Sequence, residues 1–143
     1  MERLTIPQSI AEWNERGREY LPGHLDMEML AVEPDEVQVR MPVDRRKCAW
    51  NGYLHAGSIV TLADTACGYG TLRNLPDDAS GFTTIELKSN FLGTALEGDV
   101  VCVARPVHRG RATQVWDAEV RAASSGKTIA LFRCTQMILR GRG

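Results

Sequence analysis

The chain has 143 residues, of which 43% are hydrophobic and 24% are charged, and its formal net charge is −1. This length predicts a single domain over residues 1–143 that buries roughly two-thirds of its unfolded surface. The nearly balanced charge argues against nucleic acid or an anionic membrane as the main partner. With no apolar run of membrane-spanning length and no signal-peptide core at its start, the sequence predicts a cytoplasmic protein. Four widely spaced cysteines and three scattered histidines predict reduced thiols and no metal site.

The first quarter of the chain predicts a short helix followed by two strands. Apolar spacing places the helix at residues 7–18, and Pro22-Gly23 ends it. One strand is expected at residues 27–32, before a turn at residues 33–35. A second strand alternates Val37, Val39 and Met41 with polar residues, which is typical of a strand with one solvated face. Residues 44–52 form a charged, irregular connection.

Residues 55–70 predict one long helix that is apolar nearly all the way round, as is typical of a helix inside a protein. Its polar exceptions share one stripe, which consists of Gly57, Thr61, Asp64, Thr65 and Gly68. An ionised carboxylate on a core helix costs free energy unless it is paired or used. Asp64 is therefore the first candidate functional residue. The alternative is that it only pairs with a buried threonine or arginine.

After a loop at residues 74–81, four strands are expected at residues 82–92, 100–107, 112–122 and 128–139, joined by hairpin turns. Strict alternation places Thr84 on the face opposite Ile85 and Leu87, so Thr84 either contacts the carboxylate or its water, or is solvated. The element order predicts an α+β fold in which a six-stranded antiparallel sheet wraps a long central helix. This arrangement resembles the hotdog fold.

Two segments carry a more specific resemblance. The run Gly52-Tyr53-Leu54-His55-Ala56-Gly57, followed by Leu62-Ala63-Asp64-Thr65-Ala66, resembles the signature of hotdog acyl-CoA thioesterases. Residues 83–92 and 107–111 are similar to segments of the phenylacetate-degradation subgroup of the hydroxybenzoyl-CoA thioesterase superfamily. The resemblance implies hydrolysis of an aryl-acetyl, aromatic or medium-chain acyl-CoA, with coenzyme A as part of the substrate and no cofactor. Ala49 stands where this family often has an asparagine, and Asn51 is a candidate catalytic residue that lies nearby but out of register with that position.

Thioester hydrolysis needs a base or nucleophile and a donor to the developing oxyanion. Asp64 can supply the first, as general base or as direct nucleophile, and the backbone N–H of Ala56 in the first helical turn can supply the second. Eight helical residues span about 12 Å, so these two groups of one chain cannot act on one carbonyl. Two central helices running antiparallel in a two-fold dimer remove this conflict. The sequence therefore predicts a homodimer with composite sites, and a dimer of dimers is a further possible assembly.

The remaining candidate residues each have a structural alternative. His55 either joins the catalytic site or only caps the helix. Gly57 and Thr65 are candidate substrate contacts, and Thr65 alternatively donates to a helix carbonyl. The candidates for holding the coenzyme A phosphates are Arg109, Arg111, Ser124 and Ser125. The candidates for the wall of an acyl pocket are Trp50 and Tyr53. An ordinary charged hairpin explains the arginines and serines equally well, and core packing explains the aromatic residues.

Two other functions fit the same sequence features. A non-catalytic acyl-CoA-binding or sensing module would keep the pocket and lack turnover. A hotdog enoyl-CoA hydratase would pair a histidine with an acid, but the His-Phe-Pro-Gly pattern of those enzymes does not occur in this sequence.

Overall fold

A computed structural model describes residues 4–141 of the chain. Residues 1–3 and 142–143, which belong to the predicted domain and include the start of the chain, lie outside the described residues. The elements in chain order are α1 (Ile10–Gly17), α2 (Leu21–His24), β1 (Glu28–Val32), β2 (Val37–Pro42), α3 (Ala56–Arg73), β3 (Gly81–Phe91), β4 (Asp99–Arg109), β5 (Thr113–Ala122) and β6 (Thr128–Leu139). No helix among residues 4–141 has the length and apolar character needed to cross a membrane.

The six strands form one antiparallel sheet in the order β1-β2-β4-β5-β6-β3, and α3 packs against it. The predicted α+β hotdog fold is therefore confirmed. The strand that follows α3 in the chain, β3, pairs only with β6 and forms one edge of the sheet. Its other edge has no strand partner within residues 4–141.

The core lies between the inner face of the sheet and α3. Alternate residues of β2 and β4 are buried because they point towards the helix, as the period of two predicts. Small residues let helix and sheet approach closely: a Cβ added at Gly70 would lie 2.4 Å from the ring of Trp116 on β5. The buried side chains of α3 include Ile59, Leu62, Ala63, Ala66 and Cys67.

Two predicted helix boundaries are wrong, in each case because capping hydrogen bonds decide them. The first helix begins at Ile10 rather than near Pro7, since the Ser9 side chain accepts a hydrogen bond from the Glu12 N–H. The central helix continues past Gly70 to Arg73. Its last turn is held by Asn74, whose side-chain nitrogen donates to the Gly70 carbonyl at 2.8 Å.

A β-bulge in β3 changes the predicted facing of Thr84. Thr84 pairs with Gln136 and Leu87 pairs with Cys134, while the register shifts between Thr84 and Glu86. Gln136 and Cys134 are both buried and two residues apart, so Thr84 and Leu87 share the inner face. The prediction that Thr84 lies opposite Leu87 is wrong, because the extra residue reverses the alternation.

Candidate active site

Asp64 lies midway along α3 and is half-buried against β3. The hydroxyl of Thr84 lies 3.4 Å from Asp64 Oδ1 and 2.6 Å from the side-chain oxygen of Gln136. Among residues 4–141, Asp64 forms no ion pair with an arginine, so of the two predicted structural partners only the threonine is present. Thr84 faces the carboxylate because it pairs with inward-facing Gln136, and the bulge that follows lets Leu87 share the same face.

Burial raises the pKa of the Asp64 carboxyl above its ordinary value of 3.8, and the hydrogen bond from Thr84 opposes that shift. A carboxyl with a raised pKa is a stronger base when it is ionised. Burial also raises the pKa of the neighbouring Cys67 thiol, and it raises the pKa of Cys102 to about 12. These thiols are protonated at neutral pH, so Asp64 stays the candidate for proton transfer at this place.

The N-terminus of α3 presents a free backbone donor. His55 is the N-cap residue, and its Nδ1 accepts the Gly57 N–H at 2.7 Å, so the capping role considered for His55 is present. The N–H of Ala56 has no acceptor among residues 4–141. Unpaired amides at a helix N-terminus attract negative charge. The Ala56 amide is therefore available to hydrogen-bond a ligand oxygen, and it stays the candidate oxyanion donor.

An apolar cavity of about 470 Å³ opens beside this amide. It is lined by Tyr53, Leu54, Ala56, Ile59, Phe91, Gly93 and Thr94. The expectation of a core position for Tyr53 is wrong, because the ring is 58% exposed and forms a wall of the cavity. Trp50 is also outside the core and is fully exposed. It lines a different hollow, together with Asp44 and Arg45.

Two other residues of the central segment have structural contacts. Asn51 accepts the Tyr53 N–H through its side-chain oxygen at 3.1 Å and so shapes the loop before α3. The hydroxyl of Thr61 donates to the Gly57 carbonyl at 2.7 Å, which is the kind of bond that was considered for Thr65. Thr65 itself is half-buried next to Asp64.

The candidate phosphate-binding residues lie at opposite ends of the sheet. Arg109 pairs with Asp35 at 2.7 Å and donates to the side chain of Asn74, which follows the last turn of α3. The length of α3, about 27 Å, separates Asn74 from Ala56. The Arg111 side chain is exposed at the same end as Arg109. The hairpin that contains Ser124 and Ser125 lies at the other end and leads into β6. The start of β6 is beside the apolar cavity, because the Gly93 N–H in the cavity wall donates to the Ile129 carbonyl. Of these four, only the serines are near the start of α3.

Gln136 is a further candidate residue of this site, and it accepts the hydrogen bond of the Thr84 hydroxyl. It is fully buried on β6, and its side-chain nitrogen is the one buried side-chain nitrogen or oxygen atom without a hydrogen-bond partner among residues 4–141. The signal in the sequence is a polar residue at an inward position, between Cys134 and Ile138.

No group of three histidine, cysteine, aspartate or glutamate side chains able to hold a metal ion occurs within residues 4–141. Independence from metals stays a prediction.

Comparison with known proteins places these features in one family. Residues 51–129 match the model of the Thioesterase superfamily. The 1,4-dihydroxy-2-naphthoyl-CoA hydrolase of Escherichia coli is 30% identical over 88% of this chain and 91% of its own length. The enzyme of the same name from Listeria monocytogenes is 29% identical over 82% of this chain and 94% of its own length.

Solved structures agree with this assignment. Thioesterase HI1161 from Haemophilus influenzae superimposes with a TM-score of 0.87 at 26% identity, covering 94% of this chain and 92% of its own. A thioesterase family protein from Silicibacter pomeroyi superimposes with a TM-score of 0.81 at 31% identity, covering 90% of this chain and 96% of its own.

Proposed function

This chain belongs to the Thioesterase superfamily, and from that premise we propose that it hydrolyses acyl-CoA thioesters at sites built by two protomers. The observation that carries the proposal is the free Ala56 amide, which borders an apolar cavity while the chain's own Asp64 lies about 12 Å further along the helix. The oxyanion donor and the acid must therefore come from different chains.

In the proposed reaction the acyl group enters the apolar cavity and the thioester carbonyl accepts the Ala56 N–H. Asp64 of the second protomer takes a proton from a water molecule, whose oxygen attacks the carbonyl carbon. The C–S bond then breaks, and the coenzyme A thiolate leaves and is protonated. In the direct alternative, the Asp64 carboxylate attacks and the resulting anhydride is hydrolysed by water. Thr84 orients the carboxylate in both cases.

The edge strand β3 supports pairing of two protomers. It spans 11 residues and its outer edge offers unpaired amide and carbonyl groups. Ile85 and Leu87 on this strand are 52% and 44% exposed, which is apolar surface that a partner would cover. Antiparallel pairing of β3 with its two-fold copy would join the sheets and set the two α3 helices antiparallel. Further association into a dimer of dimers stays a prediction.

The lining of the cavity supports an aromatic or medium-chain acyl group. Tyr53 and Phe91 offer ring faces, and the other lining groups are apolar except for Thr94. Aryl-acetyl groups of the phenylacetate-degradation subgroup fit this lining, and so do the bicyclic groups in the names of the E. coli and Listeria relatives. Gly57 and Thr65 are the proposed additional contacts. Ser124 and Ser125 are the better placed candidates for the coenzyme A phosphates.

A panel of acyl-CoAs tests the proposal. Phenylacetyl-, benzoyl-, 1,4-dihydroxy-2-naphthoyl- and octanoyl-CoA are incubated with the protein and a thiol-detecting dye. Release of thiol above the uncatalysed rate supports hydrolysis. Saturable binding without thiol release would instead indicate a binding module, and addition of water to an enoyl-CoA would indicate a hydratase. Single turnover in ¹⁸O-labelled water separates general-base catalysis from direct attack in which water then hydrolyses the anhydride at the Asp64 carbonyl carbon. In that case the anhydride C–O bond to Asp64 breaks, an enzyme oxygen leaves with the product acid, and ¹⁸O is found on Asp64.

A further inference from the structure

We propose that Gln136 is a positioning residue whose side-chain amide directs the single hydroxyl proton of Thr84 towards or away from Asp64. The inference rests on the proposed function, since it assigns Asp64 as the base. Its evidence is a row of three side chains, Gln136 on β6, Thr84 on β3 and Asp64 on α3. The Thr84 hydroxyl lies 2.6 Å from the Gln136 oxygen and 3.4 Å from Asp64 Oδ1. Gln136 does not contact Asp64 and acts through Thr84.

The hydroxyl of Thr84 cannot serve both neighbours at once. It carries one proton, and both the Gln136 oxygen and the ionised Asp64 carboxylate can only accept. In the present arrangement the two acceptors compete for this proton, and the Gln136 oxygen at 2.6 Å holds it more strongly than Asp64 Oδ1 at 3.4 Å. Gln136 therefore weakens the hydrogen bond that Thr84 donates to the ionised carboxylate.

The unpaired nitrogen of Gln136 indicates a second arrangement. This nitrogen is fully buried and has no hydrogen-bond partner in the described part of the chain, residues 4–141, whereas buried polar groups are almost always hydrogen-bonded. The two ends of a side-chain amide have nearly the same shape, so a half-turn about the last bond exchanges them. The nitrogen then donates to Thr84, and the hydroxyl proton is free to be donated to the Asp64 carboxylate. This second arrangement stabilises the ionised base.

Within residues 4–141 the main polar contact of Asp64 is the Thr84 hydroxyl. The other titratable groups packed nearby are thiols: Cys67 lies on α3 next to Asp64, and Cys134 on β6 and Cys102 on β4 lie next to Cys67. Burial keeps Cys67 and Cys102 protonated at neutral pH. Burial and the Thr84 hydroxyl are what set the pKa of Asp64 within residues 4–141.

The test is a direct titration of the Asp64 carboxyl carbon by NMR in the full chain, without substrate. Gln136→Met keeps the length of the side chain and removes its polar atoms, and Thr84→Val does the same for the hydroxyl. Thr84→Val removes the donor and is expected to raise the pKa of Asp64. Gln136→Met removes the acceptor that competes for the Thr84 proton and is expected to lower the pKa of Asp64, because the hydroxyl is then free to donate to the carboxylate. The double variant is expected to titrate like Thr84→Val, because Gln136 acts on Asp64 only through the hydroxyl.

Gln114→Met is the matched control. Gln114 is equally buried on β5, pairs with Gln136 in the sheet and bonds Trp116 and Asn74 rather than Thr84. The control is expected to leave the pKa of Asp64 unchanged. Thr84→Ser keeps the hydroxyl and is expected to show the wild-type pKa of Asp64. If the pKa in Gln136→Met equals that of the wild type or moves as much in the control, the proposal is overturned.

Two further outcomes keep the result decisive. If Gln136→Met does not fold, an unchanged pKa in the partly exposed Thr84→Val variant overturns the proposal by itself. The titration needs no catalysis, so its failure differs from failure of the proposed function. A wild type without thioesterase activity but with a Gln136-dependent pKa of Asp64 would contradict only the function. In an active enzyme, the acidic limb of the kcat/KM profile is expected to move up in Thr84→Val and down in Gln136→Met, in step with the pKa of Asp64.

Discussion

The backbone amide of Ala56 can be removed without altering any side chain that packs in the core. Ala56→Pro deletes this N–H at the first position of α3, where proline is well accommodated. The preceding residue, His55, has φ −64° and ψ 135°, which is the extended conformation that a following proline requires. Because no group of residues 4–141 accepts the Ala56 N–H, its loss breaks no hydrogen bond of the fold.

The expected effect is therefore on catalysis and not on stability. Loss of one oxyanion donor typically lowers kcat about 10²–10³-fold, which corresponds to about 2.7–4 kcal/mol of transition-state stabilisation. We expect a loss of this size in thiol release from the best substrate of the acyl-CoA panel. The thermal midpoint is expected to stay within about 2 °C of the wild type, since an exposed change of this kind is worth less than about 0.5 kcal/mol.

Ile10→Pro is the matched control, because Ile10 is the first residue of α1 and follows the N-cap Ser9. It places proline at an equivalent position remote from the cavity and is expected to retain activity. An Ala56→Pro protein that is folded and turns over substrate at the wild-type rate would refute the role of the amide.

Three further predictions concern proton transfer, charge and packing. Asp64→Asn is expected to keep the fold and to lower kcat by at least about 100-fold in the thiol-release assay. Lys47→Met removes the hydrogen bond that holds the pKa of Asp44 at about 2, below its ordinary 3.8. As the pH falls from 3.8 to about 2, the free energy of unfolding measured with urea is therefore expected to decrease less in Lys47→Met than in the wild type. Gly70→Ala is expected to lower the free energy of unfolding by about 1–3 kcal/mol, because its Cβ would collide with Trp116.

Each of these results has a contradicting outcome. An Asp64→Asn enzyme with wild-type kcat would remove the proposed base. A Lys47→Met protein with the same acid sensitivity as the wild type would show that Asp44 is not stabilised by the ammonium group. Gly141→Ala is the packing control, since nothing lies within 4 Å of its added Cβ. Equal unfolding free energies for the two alanine variants would contradict the close contact at Gly70.

Periodicity predicted most of the fold because the inward residues obey it. The alternation in β2 and the all-round apolar character of α3 both come from burial, which is visible in the sequence. The errors arose where local hydrogen bonds override periodicity. Ser9 moves the start of α1, Asn74 extends α3, and the bulge after Thr84 reverses the facing of part of β3.

The candidate site was only partly accessible from the sequence. Asp64 and Ala56 stand out in the sequence as candidates because a carboxylate on a core helix and a helix N-terminus are local features. Gln136 could not be linked to them, since it lies 52 residues from Thr84 and meets it only through sheet pairing. The separation of Arg109 from the start of α3 likewise depends on which end of the sheet each hairpin occupies.

Mixing two inactive variants tests the composite site most directly. Ala56→Pro and Asp64→Asn chains are co-refolded at equal concentration, so about half of random dimers contain one chain of each kind. A mixed dimer has one site with both defects and one intact site, so the mixture should recover about a quarter of the wild-type thiol-release rate. Activity no greater than the mean of the two separate variants would contradict a site shared between protomers.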